Sequence, residues 1–192
     1  MTNQEKFYNL LSENCSNRFD VDVLYQYLKE DTDFFQAPAS TKFHSNVNGG
    51  LLLHSLTVYD TLNKLLTMFN LKYSKDTITI VALLHDLCKA NFYKLSTKNV
   101  KVNGSWTTQP CYIVDDSFPV GHGEKSVIEL LRLGLNLTDE EIYAIRWHMG
   151  AFDNSVKGGD LSFSVAMTKS KLATMLQVAD LISSQVLEEA LW

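Results

Sequence analysis

Cysteine and proline are scarce in this chain, and each scarcity excludes a class of protein. The three cysteines, Cys15, Cys88 and Cys111, are too few and too far apart for a disulfide framework. None of them forms a C-x-x-C pair, so neither a thiolate zinc site nor a dithiol redox site is expected. Only three prolines occur among 192 residues, which leaves long segments free to form helices.

Long apolar runs are also missing. No run approaches the roughly 20 residues that a membrane-spanning helix needs. The first residues, Met1 to Lys6, lack the basic, apolar and small-residue order of a signal peptide. These patterns predict a cytoplasmic protein with no membrane partner. Hydrophobic residues make up 45% of the chain and charged residues 20%, a globular balance that argues against disorder.

Positive charge is limited as well. The net charge is −5, and lysine and arginine form no cluster. Tight binding to long nucleic acid depends on neutralising many phosphates, so we do not expect that partner. A small phosphorylated substrate, or a short strand end, stays compatible with this charge because a bound metal ion can supply the local positive charge. Composition leaves the oligomeric state open.

The spacing of apolar residues predicts helices over most of the chain. Val100 to Val102 and Cys111 to Val114 flank Asn103-Gly104, a dipeptide that favours a tight hairpin turn. The predicted fold class is therefore all-α, a helical bundle with one β-hairpin inserted at about residues 97–114, in a single domain spanning 1–192. The predicted helices cover residues 4–14, 20–30, 51–69, 75–90, 122–134, 138–149 and 169–191, with a loop at 150–161.

Four of the five histidines lie where helical spacing turns them inward. His54 lies on the apolar stripe of its helix, and His148 follows Ile142 and Ile145 on another. His122 lies between two glycines at a predicted helix start. Taken alone, each is explained as well by a hydrogen-bonded core histidine as by a ligand.

Two aspartates share this inward placement. Asp86 follows His85 at the end of an apolar helix, where an ionised carboxylate is costly to bury unless it is paired or metal-bound. Asp180 falls on the face of Leu176 in the last helix. Six such residues together favour a metal site. Imidazole with carboxylate suits divalent manganese, iron, cobalt, nickel, zinc or magnesium, and does not distinguish among them.

Three segments resemble the His…His-Asp…Asp signature of the HD superfamily of metal-dependent phosphohydrolases. They are Gly-Gly-Leu-Leu-Leu-His-Ser-Leu around His54, Ala-Leu-Leu-His-Asp-Leu-Cys-Lys at 82–89, and Val-Ala-Asp-Leu-Ile at 178–182. The resemblance covers roughly residues 43–188. It implies an HD-type core there, with the N-terminal helices of residues 1–42 packed on it.

Two further segments resemble the additional histidines of the two-metal branches of that superfamily. These are Gly-His-Gly-Glu-Lys-Ser at 121–126 and Ala-Ile-Arg-Trp-His-Met-Gly at 144–150. Those branches include bacterial diadenosine-tetraphosphate hydrolases, cyclic-dinucleotide phosphodiesterases and the HD part of some exoribonucleases. The resemblance implies two divalent metal ions, one of them held by His54, His85, Asp86 and Asp180. Asp86 would bridge to a second ion, which His122 and His148 would also hold. The chain departs from some relatives at Met149, where they have a histidine, and it lacks the Gly-Tyr-Pro signature of the cyclic-dinucleotide enzymes.

The expected activity is hydrolysis of a phosphate ester or anhydride in a nucleotide-like substrate by metal-activated water. Asp86 and Lys89 are the candidate catalytic residues. Lys89 either donates to a phosphate oxygen or forms an ion pair with Asp86. Arg146 and Lys125 are candidate phosphate contacts or solvated surface charges. His44 is assigned to a surface loop, with substrate contact as the alternative.

Two other functions fit the same residues. Some HD relatives use a di-iron site to activate oxygen, and iron-free activity or activity without oxygen would exclude that chemistry here. A nucleotide-binding or sensing domain without turnover is the non-enzymatic alternative. Tight nucleotide binding with no product under any metal would support it.

Overall fold

The computed structural model describes residues 1–188, and these form a helical fold with one inserted two-stranded antiparallel hairpin. This confirms the predicted fold class at that level. Within the described residues, no helix is both long and apolar enough to cross a membrane. The α-helices are α1 Asn3–Cys15, α2 Val21–Glu30, α3 Gly50–Met68, α4 Lys75–Leu84, α5 His122–Arg132, α6 Asp139–Trp147, α7 Asn154–Lys157, α8 Ser162–Lys169 and α9 Lys171–Ile182.

The core lies between the long helices in the centre of the fold. Helix α3 packs against α4 and α9, and α6 packs against α9 and α5. Helix α1 packs on α3 and α4 and buries Phe7, Leu11 and Cys15 there. Burying these apolar side chains removes them from water, which is the main force holding the helices together.

The hairpin begins four residues earlier than predicted. Strand β1 spans Tyr93–Val102 and β2 spans Ser105–Val114, with Tyr93 opposite Val114 at the base. Asn103 and Gly104 have φ of 48° and 86°, which suits the two-residue turn that their dipeptide favours. No residue of either strand is buried.

Several predicted helix limits are wrong. Helix α4 ends at Leu84 rather than near residue 90, and a 3-10 turn follows at Leu87–Lys89. The predicted loop at 150–161 contains a 3-10 turn at Gly150–Phe152 and the short helix α7, and α8 was not predicted. Helix α9 ends at Ile182 and continues as one π-helical turn, Ser183–Leu187. Glu188 is extended, so the prediction is wrong there, and residues 189–191 of the predicted helix lie outside the described residues.

Two glycines allow backbone contacts that fix where the histidines lie. A methyl group on Gly50 would overlap the carbonyl oxygen of Ser45, and one on Gly123 would overlap that of Arg146. Only glycine permits such close approach of two backbone segments. Gly50 thus ties the loop after α2 to the start of α3, and Gly123 brings the start of α5 against the end of α6.

Candidate metal centre

Six side chains from five helices or helix ends converge on one point in the core. His54 projects from α3, His122 is the first residue of α5, and Asp180 lies on α9. His85 and His148 are the residues that directly follow α4 and α6, and Asp86 comes next after His85. The site therefore combines all six residues that the sequence predicts as metal ligands.

The first group of donor atoms surrounds His54. Its Nε2 lies 3.3 Å from Nε2 of His85, 3.4 Å from Oδ2 of Asp86 and 3.2 Å from Oδ1 of Asp180. Nε2 of His85 is 3.5 Å from the same Asp86 oxygen. His54, His85 and Asp86 thus each offer one donor atom to a common volume, and Asp180 adjoins it at His54 and also lies near His85 and His148.

The second group uses the other oxygen of Asp86. Oδ1 of Asp86 is 2.8 Å from Nε2 of His122 and 3.3 Å from Nε2 of His148. The three donor atoms lie within 4.8 Å of one another, as do those of His54, His85 and Asp86. Asp86 is therefore placed to bridge two adjacent donor groups, one through each carboxylate oxygen.

The donor separations fit divalent metal ions. Nitrogen and oxygen ligands lie about 2.1 Å from such an ion, so neighbouring ligands are about 3.0 Å apart in octahedral and about 3.4 Å apart in tetrahedral geometry. The measured separations of 2.8 to 3.5 Å cover the same range. The residues fit one or two divalent ions, and imidazole with carboxylate leaves the identity of the metal open.

Two of the imidazoles are oriented by the helices they terminate. Nδ1 of His85 donates to the carbonyl oxygen of Ala82 at 2.9 Å, and Nδ1 of His148 donates to that of Ile145 at 2.7 Å. The carbonyls of a last helical turn lack intrahelical partners, so these bonds satisfy them. Each bond also places the proton on Nδ1 and leaves the Nε2 lone pair free for a metal. Nε2 of His148 is buried and has no hydrogen-bond partner within residues 1–188.

The electrostatics of the site keep the carboxylates ionised and differ among the imidazoles. The pKa is lowered for His85 and His122 but raised for His54 and, despite burial, for His148, which contacts Asp86. Burial lowers the pKa of His85 to about 3, and burial also lowers the pKa of His122. Burial alone would raise the pKa of Asp86, but the positive charge of Lys89 and hydrogen bonds from neighbouring imidazoles hold it well below its usual value. For His54, burial opposes protonation, yet hydrogen bonds to Asp180 and other carboxylates raise its pKa. A bound cation would neutralise the negative charge of the buried carboxylates.

Solvent exposure of the donor residues is uneven. The side chains of His54, His85 and His148 are fully shielded, whereas that of His122 is 23% exposed and that of Asp180 is 15% exposed. His122 and Asp180 are therefore the points at which solvent reaches the centre.

The three predicted cationic contacts already have acidic partners. Nζ of Lys89 is buried and lies 2.6 Å from Oδ2 of Asp86, which matches the ion-pair alternative. Nζ of Lys125 is 2.9 Å from Oδ1 of Asp116. A phosphate contact by Lys125 remains a prediction, and it would require an exchange of this partner.

Arg146 is held more firmly. Its guanidinium pairs with Glu124, lies 2.9 Å from Oδ2 of Asp153, and stacks 3.7 Å from the ring centre of Trp147. These contacts join the start of α5 to the segment after α6. They give Arg146 a structural role beside the metal ligands, and its contact with substrate stays a prediction.

Three residues near the centre were not predicted as part of it. The Glu188 carboxylate lies 2.8 Å from Nδ1 of His54, and Cys88 Sγ lies 3.3 Å from Nδ1 of His122. The ring of His44, assigned to a surface loop from the sequence, packs 5.0 Å from that of His54. Both ring nitrogens of His44 are shielded and have no hydrogen-bond partner within the described part of the chain. The position of Cys88 two residues after Asp86 was the one signal for it, whereas Glu188 and His44 carry no motif.

Three comparisons with known proteins return no match. No family model fits the chain, and neither a curated protein nor a solved structure is similar to it.

Proposed function

We propose that this chain is a metal-dependent phosphohydrolase of the HD superfamily. Its substrate would be a phosphate ester or anhydride of a nucleotide-like molecule. The observation that supports this most is the bridging position of Asp86, whose two oxygens each face a different group of histidines. A carboxylate between two such groups is the usual arrangement in two-metal sites that cleave phosphate bonds.

The proposed ion sites follow from the two donor groups. His54, His85, Asp86 and Asp180 would hold one ion, and Asp86, His122 and His148 would hold the other. Bound divalent ions supply Lewis acidity toward phosphoryl oxygens and lower the pKa of an attacking water. His122, the most exposed of the candidate ligands, is where solvent reaches the second group.

The remaining roles belong to the protein's own side chains. Asp86 joins the two donor groups through its two oxygens. The positive charge of Lys89, 2.6 Å away, offsets the negative charge of Asp86. Asp180 would complete the first donor group, and its side chain, 15% exposed, is the more accessible of the two carboxylates. Lys89 can turn its ammonium to a phosphate oxygen when a metal takes over the neutralisation of Asp86.

The test combines metal analysis with a phosphate-release screen over nucleotides, using added manganese, iron, nickel, zinc or magnesium. We expect turnover in the wild type, loss of turnover in His85→Ala and Asp86→Asn, and wild-type turnover in Asp60→Asn. Asp60 serves as the control because it is an exposed aspartate on α3 that pairs with Lys6. Full activity in His85→Ala would contradict the proposal. An iron-loaded chain that consumes oxygen and releases no phosphate would replace it with oxygenase chemistry, and nucleotide binding without turnover would leave a sensing domain.

A further inference from the structure

The buried carboxylate of Glu188 lies behind one metal ligand, on the side away from the other donors. Its Oε1 accepts a hydrogen bond from Nδ1 of His54 at 2.8 Å, and its Oε2 accepts one from Oγ of Ser45 at 2.6 Å. The side chain is only 3% exposed. Both oxygens are therefore engaged, and the carboxylate has a fixed position relative to His54.

This contact differs in kind from those of the neighbouring histidines. His85 and His148 donate Nδ1–H to backbone carbonyls, which are neutral. His54 donates to a carboxylate, and a charged acceptor makes a stronger hydrogen bond. A carboxylate on Nδ1 holds the imidazole in the tautomer with a free Nε2 lone pair and makes that nitrogen a more basic ligand. The orientation of His54 matters most for the first donor group, because its Nε2 lies next to the ligand atoms of the three other residues.

The chain reaches this position through an irregular turn. Asp180 contacts Nε2 of His54 at 3.2 Å from α9, while Glu188 contacts Nδ1 of the same ring. A regular α-helix turns about 100° per residue, so residues eight apart differ in direction by about 80°. The π-helical turn Ser183–Leu187 changes that register, and Ser183 anchors it to Thr61 of α3 with the two hydroxyls 3.3 Å apart. Helical irregularities of this kind are frequent at functional sites.

We propose that Glu188 is a positioning residue for the metal centre, which fixes the tautomer and orientation of His54 and thereby sets the affinity of the first donor group. The inference rests on the metal centre contained in the proposed function, and it does not depend on which reaction follows. The end of the described chain would then contribute to metal binding without providing a ligand.

The alternative is that Glu188 only anchors the segment after α9 to the loop at Ser45. Four variants separate the two roles. Glu188→Ala removes the acceptor, Glu188→Gln keeps an amide oxygen but not the charge, and Ser45→Ala removes the anchor alone. Glu13→Ala is the control, because Glu13 is an exposed residue of α1. The affinity for Zn²⁺ and Mn²⁺ is measured by competition with a chelator, in the absence of phosphate substrates. The protonated nitrogen of His54 is read by ¹⁵N NMR of the zinc-loaded protein.

We expect Glu188→Ala to lower metal affinity about 10- to 100-fold, the usual effect of removing such a partner, with Glu188→Gln in between. The His54 Nδ1–H signal should be lost or shifted in Glu188→Ala. Ser45→Ala and Glu13→Ala should keep the wild-type affinity and signal. Wild-type affinity in Glu188→Ala, or an equal loss in Ser45→Ala, would overturn the positioning role. A chain whose metal affinity depends on Glu188 but which releases no phosphate contradicts the hydrolase proposal alone.

Discussion

If the proposed metal centre binds ions, removing them should lower the melting temperature by one decrement for each donor group that was occupied. A ligand that binds only the folded state at a thousand times its dissociation constant adds about 4 kcal/mol of stability. For a domain of this length, each kcal/mol moves Tm by about 2–4 °C, so each bound ion corresponds to about 8–16 °C. Two donor groups that share Asp86 predict two such steps. The assay is calorimetry of metal-loaded protein with and without a chelator.

Single substitutions show which donor group produces which decrease in Tm. His122→Ala leaves the first group intact and should retain one step, because His122 contacts Asp86 only through Oδ1. Asp86→Asn affects both donor groups, so most of the Tm difference between metal-loaded and chelator-treated protein should disappear in this variant. Asp60→Asn, on the exposed side of α3, should show the full shift of the wild type. An undiminished shift in Asp86→Asn, or equal Tm values with and without chelator in the loaded wild type, would refute the two-group interpretation.

Three further predictions concern the surroundings of the centre. Arg18→Met should lower the free energy of unfolding, measured with urea, by about 3–5 kcal/mol. The substitution removes the guanidinium that lies 3.0 Å from the buried carboxylate of Glu141. An unchanged urea midpoint would contradict this. Gly123→Ala should lower the free energy of unfolding by about 1–3 kcal/mol and reduce metal content. The added methyl group overlaps the carbonyl oxygen of Arg146 and separates α5 from α6. Wild-type stability and metal content in this variant would contradict the prediction. Burial raises the pKa of Glu129 to about 7, above its unfolded value, so its contribution to stability is full below pH 4.5 and is lost as pH rises through 7. Glu129→Gln should therefore be more stable than wild type at pH 8 but not at pH 4, and denaturation at both pH values checks the sign.

The convergence of the six candidate ligands could be predicted because several of them occupy positions with a strong local signal. His54 lies on an apolar stripe, and His85-Asp86 ends an apolar helix, where a charged residue demands an explanation. The approximate limits of the hairpin followed from Asn103-Gly104, whose positive φ angles few other pairs adopt.

Helix ends and the surroundings of the ligands could not be predicted in the same way. Periodicity continues through His85 and His148, although both helices stop there and turn the imidazole back onto their own last turn. Apolar spacing reveals neither these hydrogen bonds nor the residue at which a helix ends. Glu188 follows a π-helical turn, so no α-helical register connects it with Asp180. The pairing of Arg146 with Glu124 depends on the packing of α5 against α6.

The exposed hairpin is nearly separable from the rest of the molecule. Its base is closed by a backbone hydrogen bond of 2.9 Å from the nitrogen of Asp115 to the oxygen of Phe92, so the chain leaves the helical body and returns at almost the same point. Since no strand residue is buried, the hairpin adds little to the cooperative unit that unfolds, and its amides should exchange through local opening. The segment between the Asp86 and His122 ligands is therefore a natural insertion point, where length and sequence can vary while the metal ligands keep their geometry.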